Sequence, residues 1–304
     1  MTAVRTLLAR GVRDLRVRRY PVAADARRDG RGPYPLVWTD LPGGTGLDER
    51  GVVVAVGPAG ERYPNPVSMC LYALGEHSRA LAVPGPDRER FASFLTQANW
   101  LRAHQDSAGG WRYPVPVPRY GVTPGWYSGM AQGMAASTLL RAHDLTGERS
   151  FLDAADGAVD LLLRPVSRGG CADHDRLGRP FLEECPADPP SRVLNGALFA
   201  LFGLVEHQSR RGGQADLLAA DRLAEELGGF DLGWWSRYDL RWSWPASANY
   251  HALHVSLLRA AAALTGLSVF ARTADRWSRQ LRDPRCQLRA RLVKATRVWQ
   301  HRHG

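Results

Sequence analysis

Lysine is nearly absent. Lys294 is the only one among 304 residues, so the formal charge of +10 is carried by arginine. That bias fits a GC-rich coding preference as well as a selection for guanidinium chemistry. Cysteine is scarce: Cys70, Cys171, Cys185 and Cys286 include no C-x-x-C pair, so neither a zinc site nor a disulfide framework is expected. No apolar run reaches 18 residues, which excludes a predicted transmembrane helix. Arginines interrupt the apolar residues of Met1–Tyr20, so a standard secretory signal is not expected and a cytoplasmic location is the default expectation. There is no zinc finger, no RNP-type aromatic pattern and no basic heptad region, so no nucleic-acid partner is expected.

The positive charge sits at the two ends. Residues 1–31 hold nine arginines against three aspartates, and residues 285–304 hold six Lys or Arg and no acid. Such ends raise the local concentration of a polyanion, although solvated tails without a partner explain them equally well. Apolar residues make up 44% and charged residues 23%, the balance of a globular enzyme long enough for one large domain or two unequal ones.

Glycine and proline are dense up to residue 64, where only short strands fit: Val52–Val56, closed by the turn Gly57-Pro58-Ala59-Gly60, and Tyr34–Trp38. From Asn65 the period becomes helical. Asn65 caps a helix with Pro66 at its first position. Further helices are expected over 88–104, 127–145, 150–163, 191–207, 215–227, 250–264 and 268–281. Leu139-Leu140-Arg141-Ala142, then Leu145-Thr146-Gly147 and Phe151, reappears as Leu257-Leu258-Arg259-Ala260, then Leu264-Thr265-Gly266 and Phe270. Each copy is a helix, a glycine stop and an aromatic opening the next helix. Stacked αα-hairpins of this kind bury their apolar faces on one another. The expected fold is mainly α: an α/α toroid of about four hairpins over 65–284, a β or irregular segment over 1–64, and a basic tail over 285–304.

Three stretches carry chemistry. Gly125-Trp126-Tyr127-Ser128-Gly129-Met130-Ala131-Gln132-Gly133 combines rings, glycines and one glutamine, which suits a sugar-binding floor of Trp126, Tyr127 and Gln132 and equally suits helix packing. Phe181-Leu182-Glu183-Glu184-Cys185-Pro186 leads into Val193-Leu194-Asn195-Gly196. Trp234-Trp235-Ser236-Arg237-Tyr238-Asp239-Leu240-Arg241-Trp242 leads into Asn249-Tyr250-His251 and His254. Taken singly, Glu184 reads as a solvated carboxylate, Tyr238 and Tyr250 as packing residues, and Arg241 as a surface charge. Four tryptophans between 234 and 244 exceed what packing usually needs and suit sugar stacking. His251 and His254 lack a third ligand in spacing, so no metal is expected.

These motifs, in this order, resemble the C-terminal domain of the D-glucuronyl C5-epimerases, the heparosan and heparan sulfate epimerase family, over about 65–281. The resemblance implies inversion at C5 of glucuronate to iduronate within an acidic polysaccharide, with no cofactor. Glu184 and Tyr250 match the family's two proton-transfer groups, Tyr238 a third catalytic residue, and Arg241 the residue pairing the uronate carboxylate. Asn195 and His251 are supporting residues. A homodimer is compatible with the family, with no interface marked in the sequence. Two positions depart from the family: Cys185 replaces a tyrosine after the glutamate, and Leu71 stands where relatives tend to carry glutamine. A thiol cannot reproduce a phenol's reach, so Cys185 puts full activity in question. A uronate lyase on the same fold shares the first chemical step. A non-catalytic acidic-glycan-binding protein fits the Cys185 change and the basic ends. A glycoside hydrolase fits poorly, because only Glu184 among the carboxylates is motif-supported.

Overall fold

The backbone alternates helix and connection from Pro66 onward, and the connections are what build a cavity. A computed structural model describes residues 17–303 apart from 58, 59, 86 and 243, and from residue 294 onward the backbone alone. Residues 1–16, holding much of the basic N-terminal stretch, lie outside the described residues, as do Pro58 and Ala59 of the predicted turn.

Three short strands precede the helices: β1 (Thr45–Leu47), β2 (Val53–Val56) and β3 (Arg62–Pro64), an antiparallel meander in the order β1-β2-β3. The predicted strand over Tyr34–Trp38 reduces to a single bridge, Val22 opposite Leu36. Pro33 and Pro35 bring no amide hydrogens to a ladder there.

Nine helices follow among the described residues. Four hairpins are formed by α1 (Pro66–Leu81) with α2 (Arg88–Ala103), α3 (Gly129–Thr146) with α4 (Arg149–Leu163), α5 (Leu194–Arg211) with α6 (Ala215–Glu226), and α7 (Ala248–Thr265) with α8 (Ser268–Arg282). The segment read as a basic tail is itself a helix, α9 (Pro284–His303). The first helices of the hairpins pack in series, α1 on α3, α3 on α5 and α5 on α7. This row is compatible with the expected α/α toroid. Its centre is tight because Gly133 of α3 meets the Ala200 backbone, and Gly203 of α5 meets the carbonyl of Gly133. A Cβ at either glycine would drive the two backbones apart.

The internal repeat is real at its stops. Gly147 and Gly266 are both left-handed, at φ 74° and 76°. Thr146 and Thr265 each return a hydroxyl to the carbonyl four residues back, and Phe151 and Phe270 are both fully buried. The arginines of the two copies diverge. Arg259 is exposed, whereas Arg141 is buried and pairs bidentately with buried Glu206 of α5 at 2.7 and 2.9 Å. Arg141 also reaches the carbonyl of Gly32, tying the N-terminal segment to the helical core.

Candidate active site

Helix N-termini are where side chains from different hairpins meet. Asn65 caps α1 through the Ser68 amide, Ser128 caps α3 through the Ala131 amide, and Ser247 caps α7 through the Tyr250 amide. Around these starts lies a cavity of about 630 Å³. Its wall is aromatic, with Tyr63, Tyr113, Tyr120, Tyr238, Tyr250, Trp126 and Trp244. Among the described residues its charged groups are Glu184 and Arg119.

Glu184 is placed there by a short hairpin that the sequence analysis does not predict. Strands β4 (Ala172–His174) and β5 (Pro180–Leu182) pair antiparallel, and the extension continues as the Glu183 amide donates to the Cys171 carbonyl. Neighbours on extended backbone point to opposite sides. Glu183 therefore turns inward, accepting from the Ser191 hydroxyl at 2.7 Å, the Arg192 amide at 2.9 Å and the Arg192 guanidinium at 2.7 Å. Glu184 turns into the cavity. Burial and the adjacent Glu183 push its carboxyl up to about 7. Gly196 leaves the space that the Glu184 side chain fills. Asn195 donates to Glu184 at 3.4 Å, the support expected of it. Helix α5 starts three residues later than the sequence pattern suggests, because Ser191 and Arg192 are committed to Glu183 and Arg192 is left-handed at φ 51°.

Tyr238 and Tyr250 face each other edge-on, ring centroids 4.8 Å apart. Burial pushes the Tyr250 hydroxyl up, Glu184 adds to that, and a hydrogen bond with Tyr238 pulls it partly back. The Tyr238 hydroxyl is raised by burial and then by Glu184, so both phenols keep their protons at neutral pH. Cys185 lines the same cavity, buried against Tyr120 and Val193. Burial raises its thiol far above the ordinary range, so it is a neutral apolar lining group.

The other expected residues divide. Trp126 lines the cavity and anchors its indole N–H on the Val115 carbonyl at 2.8 Å. Tyr127 points away, donating to Asp106 at 2.6 Å. Gln132 is buried in the core, donating to the carbonyls of Gly109 and Ala158. Gly129 lets the Glu183 carbonyl approach the start of α3. The motif at 125–133 thus supplies one cavity ring and the capping Ser128 at the cavity edge, while Tyr127 and Gln132 point elsewhere. His251 stacks on Trp235 at 3.7 Å, accepts the Ser236 amide at Nδ1 and meets the Trp277 carbonyl at Nε2. Together with His254, which shares the Ser236 hydroxyl, it braces α7 behind the cavity. Of the four tryptophans, Trp244 lines the cavity, Trp235 is core, and Trp234 and Trp242 lie elsewhere.

Arg241 stands outside the cavity lining. Its guanidinium donates to the Pro189 carbonyl at 2.5 Å and borders a neighbouring cleft. The cation inside is Arg119, unnoticed in the sequence. It pairs with buried Asp239 at 2.5 Å and lies over the rings of Tyr120, Tyr238 and Trp244. Asp239 is held in turn by the Tyr120 hydroxyl at 2.8 Å and the Trp242 amide at 2.7 Å. The available signal was an arginine inside the aromatic, proline-rich loop between Gly109 and Thr123.

The family described as the D-glucuronyl C5-epimerase C-terminus matches residues 105–279, which include the helix starts that carry Ser128, Asn195 and Tyr250. The chain belongs to this family. It is similar to D-glucuronyl C5-epimerase of Caenorhabditis elegans, 32% identical over 211 residues, covering 61% of this chain and 34% of that protein. An uncharacterized protein of Methanocaldococcus jannaschii is 28% identical over 137 residues, covering 42% of this chain and 44% of that one. The chain therefore spans between a third and a half of the length of these relatives. Among the described residues no helix is long and apolar enough to cross a membrane.

Proposed function

We propose that this protein inverts C5 of a hexuronate residue within an acidic polysaccharide, converting D-glucuronate to L-iduronate. The observation that carries the reading is one cavity holding a carboxyl raised to about 7, two protonated phenols in edge contact and the guanidinium of Arg119. Membership of the epimerase family supports the same chemistry.

The C5 proton becomes removable only when the adjacent carboxylate is neutralised, because deprotonation beside a bare carboxylate places a second negative charge on that same group. Arg119 is the cavity cation, and a guanidinium bound to Asp239 through one nitrogen retains donors for a carboxylate. Glu184 in its ionised form takes the C5 proton. Tyr250 returns a proton to the opposite face, and Tyr238 donates a hydrogen bond that stabilises the resulting phenolate. One proton enters Glu184 and one leaves Tyr250, and exchange with solvent restores both. A donor pKa near neutrality is not needed, because the phenol only has to be protonated when the carbanion forms.

The test is C5 proton exchange in deuterium oxide on heparosan and on its N-sulfated form, followed by NMR. Deuterium at C5 with iduronate signals, lost in Glu184→Gln and in Tyr250→Phe, is the expected result. An unsaturated, ultraviolet-absorbing product would instead identify a lyase. Binding without any exchange on either polymer would overturn the catalytic reading.

A further inference from the structure

Beyond the cavity, two further clefts adjoin Trp126. This ring borders the central cavity, the cleft beside Arg241, and a further cleft of about 370 Å³. The cavity and the middle cleft also share Tyr120, and the middle and far clefts share Gly125 and Pro186. The three therefore adjoin one another beside the 120–126 loop and the segment after Cys185. The far cleft is lined by Arg112, Arg164 and Arg168 and, among the described residues, by no carboxylate. Among the described residues, Asp188 is the one acid along the middle and far clefts.

These guanidiniums are only partly used. Arg112 donates to the Gly125 carbonyl at 2.9 Å and lies 3.3 Å from Asp106, with its planar face over the Tyr127 ring. Arg164 donates to the Ala108 carbonyl at 3.2 Å. Arg168, in a short 3-10 turn closed by left-handed Gly169, is exposed. A guanidinium has five N–H donors, so each keeps capacity for an anion. Charge of one sign in a walled cleft concentrates the opposite charge.

We propose that the Arg112–Arg164–Arg168 cleft is a second anion subsite of the same groove, holding a charged sugar several residues along the polymer whose uronate occupies the central cavity. Arg241 is the intermediate contact. The inference rests on the proposed function, because it takes the occupant to be an acidic polysaccharide. It adds that the protein reads the substrate as an extended polyanion, so affinity must grow with chain length until the far cleft is filled.

The experiment compares binding of a heparosan tetrasaccharide and a dodecasaccharide to the full chain at several salt concentrations. The variants are Arg168→Glu, Arg168→Ala and, as a charge-matched control on exposed α4, Arg149→Glu. In the wild-type protein the long oligosaccharide is expected to bind at least tenfold more tightly. That advantage should collapse in both Arg168 variants, with a shallower salt dependence, and persist in the control. Equal behaviour of Arg168→Glu and Arg149→Glu would overturn the subsite. C5 exchange measured on the same samples separates the two readings. A length advantage lost in the Arg168 variants without exchange removes the epimerase and keeps the groove; exchange with no effect of Arg168 does the reverse. A wild-type protein that binds neither oligosaccharide overturns both.

Discussion

At the scale of the residue, the raised carboxyl of Glu184 has two consequences of opposite sign. As the proposed base it works only when ionised, so C5 exchange should climb as pH rises through about 7. For stability the direction reverses. A carboxyl at about 4.5 in the unfolded chain and about 7 in the fold favours folding below pH 4.5 and loses that advantage as pH rises to 7. The loss amounts to about 3 kcal/mol at most. Glu184→Gln should therefore abolish exchange while flattening this part of the stability profile in urea titrations between about pH 4 and pH 8. A variant whose stability fell with pH as the wild type does would show that Glu184 is not strained by burial. The two arginines make a second contrast. Arg119→Gln is expected to lower kcat/KM for exchange about a hundredfold or more, and Arg241→Gln about tenfold or less, in steady-state assays. The reverse ranking would move the carboxylate site into the neighbouring cleft. The motifs made Glu184, Tyr238, Tyr250 and Trp126 legible in the sequence. Arg119 was not legible, because its role depends on Asp239, 120 positions away, and on rings from two loops. The surroundings of Gln132 and His251 were equally hidden. A glutamine beside glycines and a histidine at a helix start look alike in sequence whether they face a cavity or a core.

At the scale of the element, helical periodicity and stop signals carried most of the reading. Asn65, Gly147 and Gly266 perform the capping their residue types suggest. The misplaced start of α5 has a side-chain cause, since Glu183 takes the amide and guanidinium of Arg192. The β4-β5 hairpin escaped notice because three-residue strands carry too little alternation to stand out. The α3–α5 contact is the element most sensitive to a single methyl. Gly203→Ala should cost about 3 kcal/mol, read as a lower urea midpoint, because the new Cβ meets the Gly133 carbonyl and two packed helices must separate. A neutral effect would mean that the helices slide past one another easily.

At the scale of the whole molecule, the first helices of four hairpins form one row, and the N-terminal segment is fastened to it by Arg141. The Arg141–Glu206 pair is almost fully buried. Removing one partner leaves an uncompensated charge, so Arg141→Met should cost about 3–5 kcal/mol in equilibrium unfolding. Limited proteolysis should then cut first in the segment around Gly32, whose carbonyl Arg141 holds. Unchanged cleavage would mean that the segment is secured elsewhere.

The duplicated hairpins also give the molecule two rims with different freedoms. At one rim, the helix, glycine and buried phenylalanine of α3–α4 are repeated in α7–α8. At the other, the same two helices begin with unlike neighbours, Trp126 before the first and Tyr250 within the second. Turn geometry and chemistry are thus written at opposite ends of each repeat. The lining of the cavity can change without re-engineering the turns that keep the repeats standing.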